Sequence, residues 1–324
     1  MAQKQITQKT SQTTPQIVFG PVLSRRFGRS LGVDLSPSVK QCNFDCVYCE
    51  LHKAKPMESM LEIVPFAQIL DAIKIGLQTH KDISVLTFSA TGEPTLYSQL
   101  YELISATKPL LPPHIKTLIL SNGSNFFAQK KALLLFDIVK FSLDAGILSA
   151  FKKTDRPSRY LSLDKILQGI KDFSTDYTGE LVAEVLLVEG HNDSEENLRS
   201  IAEFLRKLRI SRVDLGSIDR PSAYQVKSVS EEKLLWASKF FTGLNLALPK
   251  RAKHISVESQ KKADKKQDYD ENSLLKFIAT RPITHDEAYQ IFNTQTLSIL
   301  DSLLTQGKII KKSQLPNIFY VVAK

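Results

Sequence analysis

The stretch K-Q-C-N-F-D-C-V-Y-C-E, residues 40–50, contains every cysteine of the 324-residue chain: Cys42, Cys46 and Cys49. The spacing C-x3-C-x2-C places three thiolates on one short loop, and such a soft ligand set suits zinc or an iron–sulfur cluster. A disulfide framework is disfavoured, because the number is odd and cysteines this close in sequence make poor partners. Three thiolates would leave one iron of a four-iron cluster open to an outside ligand, as a reactive centre requires. We therefore expect a metal centre here.

The same loop has a second interpretation, a structural zinc module. His52 follows the last cysteine and completes the pattern C-x3-C-x2-C-x2-H, which could close a tetrahedral site. The chain would then be a binding protein with a zinc knuckle and an interaction domain. The cysteines alone do not separate the two interpretations, whereas iron and sulfide analysis would.

An aromatic residue, Tyr48, stands directly before the last cysteine, and the motif then resembles the signature of the radical S-adenosylmethionine (radical SAM) enzymes. The resemblance implies a [4Fe-4S] cluster held by Cys42, Cys46 and Cys49, with SAM chelating the fourth iron through its amine and carboxylate. It implies further that one electron, supplied by an external donor of the flavodoxin or ferredoxin type, splits SAM. The products would be methionine and a 5′-deoxyadenosyl radical that abstracts hydrogen from a substrate. Tyr48 would lie beside the cluster, with its backbone at the adenine edge.

The segment before the cysteines resembles one branch of that superfamily more closely. Residues 20–32 read G-P-V-L-S-R-R-F-G-R-S-L-G, similar to the lead-in of iron–sulfur oxidoreductases related to the wyosine-forming tRNA enzymes. Relatives that build a tricyclic base on tRNA carry additional cysteines for a second cluster, and this chain has three in all. That activity is therefore not expected, and the substrate class stays open between RNA, protein and a small molecule.

The composition is that of an ordinary globular protein with a basic surplus. There are 43 Lys and Arg against 34 Asp and Glu, a net charge of +9. Residues 250–266 hold many of the excess cations, and such a run is a solvated linker or a surface that attracts phosphates. No stretch approaches the roughly 18 apolar residues of a membrane span. Residues 1–14 are typical of a frayed polar tail, and the clustered cysteines favour the reducing cytoplasm.

Short apolar strands alternate with helical patterns after the cysteine loop. Such alternation predicts βαβ units in a parallel sheet, and the largely apolar strands indicate cover on both faces. Six units are too few for a closed eight-stranded barrel, so we expect an open, partial (β/α)6 barrel, which is also the fold that the resemblance implies. The six predicted strands are Leu31–Leu35, Ile83–Ser89, Lys116–Ser121, Ile138–Leu143, Leu181–Val188 and Arg212–Gly216.

The tail from Asp268 onward has a different pattern, three helical segments followed by two strands. This order resembles a winged helix domain. Its six basic and six acidic residues balance, whereas a DNA-reading face would be strongly positive, so we expect it to contact protein or substrate. The predicted organisation is therefore a tail at 1–14, a radical SAM core at 15–225, a helix and basic linker at 226–267, and a winged-helix-like domain at 268–324.

Polar residues follow several predicted strands at their carboxyl ends, where parallel α/β sheets place ligands. After the second strand, Thr91-Gly92-Glu93-Pro94 resembles the superfamily's G-G-E-P motif, which receives the amino group of SAM, with Thr91 replacing the first glycine. Ser121 and Asn122 follow the third strand and, by the resemblance, would help to hold the methionine carboxylate or the ribose. Simple turns are the alternative for both motifs.

Further candidates follow the later strands. Asp144 matches an S-x-D-A pattern of the branch and would contact SAM or substrate, or else cap a helix. Glu184 lies within an apolar strand, where a carboxylate is costly to bury unless it is paired, so it is a site candidate unless half exposed. Asn192 lies in a G-x-N-D loop whose asparagine approaches SAM in relatives. Arg220, on the rim, could face substrate.

Overall fold

The computed structural model describes residues 16–323 except 25, 250–265, 267, 315 and 316. The predictions for the tail at 1–14 and for nearly all of the basic run at 250–266 lie outside the described residues. No helix in the described ranges is both long enough and apolar enough to cross a bilayer.

One eight-stranded sheet forms the body of the protein, and its strands lie in the same order as in the chain. The first two strands are antiparallel and all later neighbours are parallel. The strands are β1 (Val18–Ser24), β2 (Gly28–Asp34), β3 (Val85–Ser89), β4 (Lys116–Ser121), β5 (Ile138–Ser142), β6 (Glu180–Leu187), β7 (Arg212–Ser217) and β8 (Leu246–Ala247). The prediction of an α/β core with six parallel strands alternating with helices is confirmed.

Two strands, β1 and β8, were not expected from the sequence. β1 contains Gly20-Pro21, and its pairing with β2 shifts register between Phe19 and Val22, so neither apolar alternation nor an unbroken run marks it. β8 has two residues, too few for any periodicity to appear.

Helices cover one face of this sheet. Val139 and Phe141 of β5 belong to the large core that also contains Ile170 and Phe173. The alternate residues of each strand point to the other face, which we call the open face. Its apolar residues are nevertheless buried, because Ile138 packs with Val85, Leu118 and Val182 of other strands and with Phe27. The helices of this part are α1 (Phe66–Thr79), α2 (Leu100–Thr107), α3 (Lys130–Leu133), α4 (Leu148–Ala150), α5 (Leu163–Asp176), α6 (Glu195–Leu205) and α7 (Glu231–Ser238), with 3-10 turns at Pro94–Leu96, Lys108–Leu110 and Lys239–Phe241 and a π-helical turn at Phe151–Asp155.

The tail forms a second unit with a core of its own. Its elements are α8 (Glu271–Thr280), β9 (Ile283–Thr284), α9 (His285–Ile291), α10 (Thr294–Thr305), β10 (Ile309–Gln314) and β11 (Asn317–Val322), and the three strands lie in the order β10-β11-β9. Three helices and a β-ribbon therefore occur where they were predicted. The winged-helix assignment and the domain boundaries stay predictions.

Candidate functional site

The cysteine loop begins just beyond the carboxyl end of β2 and is bonded to the turn that follows β3. Gln41 N–H donates to the Thr91 carbonyl (2.9 Å), and Glu93 N–H donates to the Gln41 carbonyl (2.9 Å). Gly92, between these bonds, has φ +137°, and a Cβ there would lie 1.8 Å from the Gln41 carbonyl oxygen. Glycine is required at 92 because the two backbones approach so closely.

Asp34, the last residue of β2, explains why threonine stands at position 91. The Asp34 carboxylate accepts from the Thr91 backbone N–H and from its hydroxyl, both at 2.7 Å. It also accepts from Ser36 N–H (2.9 Å). A glycine at 91 could not supply the hydroxyl, so this departure from G-G-E-P adds a bond between the strand end and the turn.

The far side of the cysteine loop is held by two other segments. Asp45 N–H donates to the Asp155 carbonyl (3.1 Å), and Val47 N–H donates to the Thr154 carbonyl (2.9 Å). Ala223 N–H donates to the Cys49 carbonyl (2.9 Å). The loop is therefore bonded on three sides by backbone groups distant in sequence, which fixes the positions from which the thiols project.

Burial raises the pKa of all three free thiols, and each cysteine is half-buried. Burial raises the pKa of Cys42 to about 12, with a further contribution from the nearby Glu93 carboxylate. Burial likewise raises the pKa of Cys46 and of Cys49, and Lys40 opposes the shift at Cys49. Thiolates at this loop therefore need a positively charged centre to stabilise them, and a metal supplies one while displacing the protons.

The arrangement of the thiols bears on the choice between zinc and an iron–sulfur cluster. Among the described residues, no three His, Cys, Asp or Glu side chains converge as a single metal ion requires. His52 is exposed, and its backbone carbonyl accepts from Lys40 Nζ (2.9 Å). In a four-iron cluster each thiolate binds a different iron, so the three cysteines need not converge on one point. The cysteine set thus fits a cluster and does not form the closed zinc site that His52 would complete.

Glu93 connects the turn after β3 to the end of β4. Its buried carboxylate accepts from Thr95 N–H (3.0 Å), the Thr95 hydroxyl (2.6 Å), the Ser121 hydroxyl (2.8 Å) and Asn122 N–H (2.7 Å). Burial raises the pKa of Glu93, and these hydrogen bonds oppose the shift. The Asn122 amide in turn lies 3.8 Å from Cys42 Sγ. Gly92, Glu93, Ser121 and Asn122 therefore lie together beside the first cysteine.

Asp144 and Tyr48 meet at the end of β5. Tyr48 donates its hydroxyl to the Asp144 carboxylate, which also accepts from Leu186 N–H (2.7 Å). Burial raises the pKa of Asp144 to about 7, and the Tyr48 bond opposes that shift. Both side chains line a cavity beside the cysteine loop, with Phe44, Asn122, Ser142, Leu143, Ala145, Phe151, Asp155, Leu163 and Ile166.

The remaining two candidates, Asn192 and Glu184, have other partners. Asn192 is fully buried, and its side chain bonds three backbone groups, Val188 N–H (2.8 Å), the Asp144 carbonyl (2.9 Å) and the Leu186 carbonyl (2.8 Å). It thereby ties the end of β5 to that of β6. Glu184 is on the open face with its side chain 41% exposed.

Glu184 belongs to a charged cluster that spans the open face. It pairs with Lys140 Nζ (2.6 Å), which lies 3.3 Å from a carboxylate oxygen of the buried Asp214. Asp214 also accepts from Arg26 and from Arg212 Nε (2.8 Å). Because Arg26 comes from the turn between β1 and β2, this cluster links the first and last parts of the sheet.

Arg29, within β2, and Arg220, beyond β7, also meet acids. Arg29 Nε lies 3.0 Å from Asp82. Arg220 contacts Glu50 (3.6 Å) and Glu287 (3.3 Å), and so joins the cysteine loop to the C-terminal unit.

The sequence profile of the radical SAM superfamily matches residues 37–209, more than half of the chain. The chain belongs to the radical SAM superfamily. Its matched region begins just before the cysteine loop and ends beyond α6, so it contains the cysteines, the cavity and all eight residues predicted to bind SAM.

Two curated relatives resemble nearly the whole radical SAM chain. A UPF0026 protein of Helicobacter pylori is 50% identical over 306 residues, 93% of this chain and 96% of the relative. A UPF0026 protein of Methanocaldococcus jannaschii is 28% identical over 314 residues, 94% and 95% of the two chains. The fold resembles that of a radical SAM methyltransferase from Sphaerobacter thermophilus, with a TM-score of 0.53 and 15% identity over 68% of this chain and 65% of that one.

Three residues of this candidate site were not expected from the sequence. Asp155 is buried, with one carboxylate oxygen 3.8 Å from Cys46 Sγ. Asn43 accepts from the Asn122 amide (2.8 Å), and Lys40 is buried beside Asp45 (3.5 Å). Asp155 is 109 residues from Cys46, and no local pattern marks it. Of the three, only Lys40 could have been noticed in the sequence, because its positive charge stands two residues before Cys42.

Proposed function

We propose that this radical SAM enzyme binds one [4Fe-4S] cluster through Cys42, Cys46 and Cys49 and cleaves SAM reductively to a 5′-deoxyadenosyl radical. The observation that carries the proposal is the cysteine loop itself. It contains all three cysteines of the chain, its Phe44 and Tyr48 line the cavity, and no side chains of the described residues form a site for a single metal ion. The bound cluster would supply the electron that splits SAM and the open iron that SAM chelates.

The residues beside the cavity would orient SAM. Gly92 and Glu93 would receive its amino group, because a glycine permits close approach and a carboxylate pairs with an ammonium. Oε2 of Glu93 accepts one bond, from Asn122 N–H, so it retains capacity for a second donor. Tyr48, Ser121, Asn122, Asp144 and Glu184 are the other proposed contacts, whereas Asn192 would position them through the strand ends that it joins.

We propose that the radical then abstracts hydrogen from an RNA or protein substrate. The basic surplus of the chain and a C-terminal unit joined to the site by Arg220 support a large substrate. The electron would come from an external one-electron donor of the flavodoxin or ferredoxin type. We propose the cytoplasm as the location, since an oxygen-sensitive cluster requires reducing conditions.

Anaerobic reconstitution tests this proposal. Protein given iron, sulfide, dithionite and SAM should yield 5′-deoxyadenosine, and analysis should find about four irons and four sulfides per chain. Cys46→Ala should abolish the yield because one corner of the cluster loses its ligand. His52→Ala is the matched control, since it removes a ligand only from a zinc site. Zinc without sulfide in the wild type, or equal 5′-deoxyadenosine from Cys46→Ala, would contradict the proposal.

A further inference from the structure

Exposed basic residues flank the outer side of the cysteine loop. They come from the segment directly after Cys49 and from the segment whose backbone bonds the loop at Asp45 and Val47. Neither residues 51–55 nor residues 152–159 present an exposed carboxylate, because Asp155 is buried. We call this set the basic rim, and its members are Lys53, Lys55, Lys152, Lys153, Arg156 and Arg159.

Two members of the basic rim converge on one aromatic ring next to the cysteines. Lys53 Nζ lies 4.2 Å from the centre of the Tyr224 ring, and Arg156 Cζ lies 4.6 Å from it. Tyr224 donates its hydroxyl to the carboxylate of Asp45, and Arg156 Nη2 lies 3.6 Å from the same carboxylate. Because Asp45 directly precedes Cys46, the surface charge is connected to a cluster ligand by one side chain and one peptide bond.

Arg156 is held in a backbone conformation that costs energy. Its φ is +47°, the one positive φ of a non-glycine residue in the described part of the chain, and the left-handed region costs such a residue about 1–2 kcal/mol. The conformation is fixed by its N–H, which donates to the Phe151 carbonyl (3.2 Å), and by its carbonyl, which accepts from Asp45 N–H (3.3 Å). Strain of this kind persists where surrounding structure imposes it, and it concentrates at functional sites.

No member of the basic rim lines the cavity. Phe151 and Asp155 line the cavity, whereas Lys152, Lys153 and Arg156 of the same turn are exposed. A substrate must reach SAM in the cavity before it can lose a hydrogen atom. An electron can cross the loop from its solvent-exposed surface, so this surface suits a donor better than a substrate.

We propose that the basic rim docks a small acidic one-electron carrier protein, which passes its electron across the loop at Asp45 and Cys46. The inference rests on the proposed function, because it needs a cluster at the three cysteines. The reduced carrier loses one electron and the oxidised cluster gains it, with no bond made or broken. Complementary charge would steer the encounter and orient the carrier, as in other charged protein pairs.

A pair of charge-reversal variants tests the proposal. Lys53→Glu/Lys152→Glu reverses two members of the basic rim. The control Lys81→Glu/Lys116→Glu reverses two exposed lysines near the amino ends of β3 and β4, at the opposite end of the sheet. Each pair changes the net charge of +9 by four, to +5, so the two variants differ only in where the charge is reversed.

Two measurements are made with a bacterial flavodoxin as the probe. The first is the affinity of cluster-free protein for oxidised flavodoxin, followed by flavin fluorescence. The second is the rate at which reduced flavodoxin bleaches the reconstituted cluster, divided by the rate with dithionite. We expect the rim variant to lose at least about tenfold in both, the control to stay within about twofold, and the wild-type advantage to vanish near 0.5 M salt.

Equal values for the rim variant and the wild type, or an equal loss in the control, would overturn the docking proposal. So would a rim variant that loses affinity for a short single-stranded RNA while it keeps its affinity for flavodoxin. A wild type that dithionite cannot reduce would instead contradict the proposed function, and the affinity measurement on cluster-free protein would still decide the docking surface.

Discussion

The buried carboxylates at the strand ends of β2–β4, which we call the first side, differ in their partners from the carboxylates of strands β5–β7, the second side. Asp34 and Glu93, on the first side, accept short hydrogen bonds from backbone N–H groups and hydroxyls, and both are buried. Glu184 and Asp214, on the second side, pair with the long cationic chains of lysine and arginine. On the first side the carboxylates are buried and accept from groups close by in the fold. On the second side they belong to a network of charged side chains that is partly exposed at Glu184.

This difference predicts how the two sides tolerate change. Hydrogen bonds from backbone groups have fixed reach, so a change on the first side moves the cysteine loop or leaves a buried group unsatisfied. A long side chain can find another partner, and exposed ion pairs contribute little free energy. We therefore expect the first side to set the position of the cysteine loop and the second to accept substitutions.

Gly92→Ala should give the largest effect, because it forces apart the two backbones that join the loop to the first side. The added Cβ would lie 1.8 Å from the Gln41 carbonyl oxygen at φ +137°, so strain and overlap together should lower the free energy of unfolding by about 4 kcal/mol or more. Iron content after reconstitution should fall as well. Denaturant unfolding and iron analysis measure the two.

Gly190→Ala is the control for that variant. Gly190 also has positive φ, +68°, but a Cβ there meets nothing within 4 Å. It should cost only about 1 kcal/mol and leave the iron content unchanged. Similar losses in the two variants would show that backbone strain alone matters and that the contact at Gln41 does not.

Glu93→Gln should have the next largest effect. The amide group that replaces one carboxylate oxygen cannot accept, so a buried donor at Thr95, Ser121 or Asn122 loses its partner. The free energy of unfolding should fall by about 2–3 kcal/mol. Denaturant unfolding of cluster-free protein measures it, and a change below about 0.5 kcal/mol would contradict the view that Glu93 organises the first side.

Asp144, at the boundary between the two sides, allows a test by pH. Its pKa is raised by burial to about 7, from an ordinary value of 3.8, so between these values the folded protein keeps a proton that the unfolded chain has lost. The contribution of Asp144 to stability is therefore full below about pH 4 and declines as the pH rises to about 7, by at most about 1.4 kcal/mol per pH unit.

Asp144→Asn should remove that decline. The unfolding free energies of cluster-free wild type and variant, measured from about pH 4 to about pH 8, should therefore draw apart in the variant's favour as the pH rises. Parallel curves would mean that the carboxylate is ionised throughout and that Tyr48 and Leu186 stabilise its charge fully.

The parts of the fold that sequence predicts are those with a local signal. The six parallel strands are apolar runs between turn residues, and their number excluded a closed barrel. β1 has a bulge and a proline, and β8 has two residues, so neither shows the alternation of apolar and polar residues that marks a strand in a sequence. The helix-rich tail was recognisable from its pattern alone.

The site could be predicted as far as topology dictates it. The rule that parallel strands place ligands at their carboxyl ends brought the cysteines, Glu93, Asn122 and Asp144 to one edge. What those side chains bind depends on partners distant in sequence. The Asn192 side chain forms hydrogen bonds with three backbone groups, and Asp155 lies near Cys46 because the 151–155 turn packs against the cysteine loop.

Glu184→Gln should have the smallest effect, and it makes on the second side the same chemical change that Glu93→Gln makes on the first. The Glu184 side chain is 41% exposed, and Lys140 Nζ still has the Asp214 carboxylate 3.3 Å away, so the loss in unfolding free energy should be below about 1 kcal/mol.

Lys140→Met is the informative partner variant, because it removes a cation from the buried Asp214 and should cost more than Glu184→Gln. Equal costs for Glu184→Gln and Glu93→Gln would show that burial and hydrogen-bond partners do not separate the two sides. A small cost for Glu184→Gln that is joined by a loss of 5′-deoxyadenosine would place this carboxylate at SAM, because a residue needed only for folding cannot lower the yield without lowering the stability.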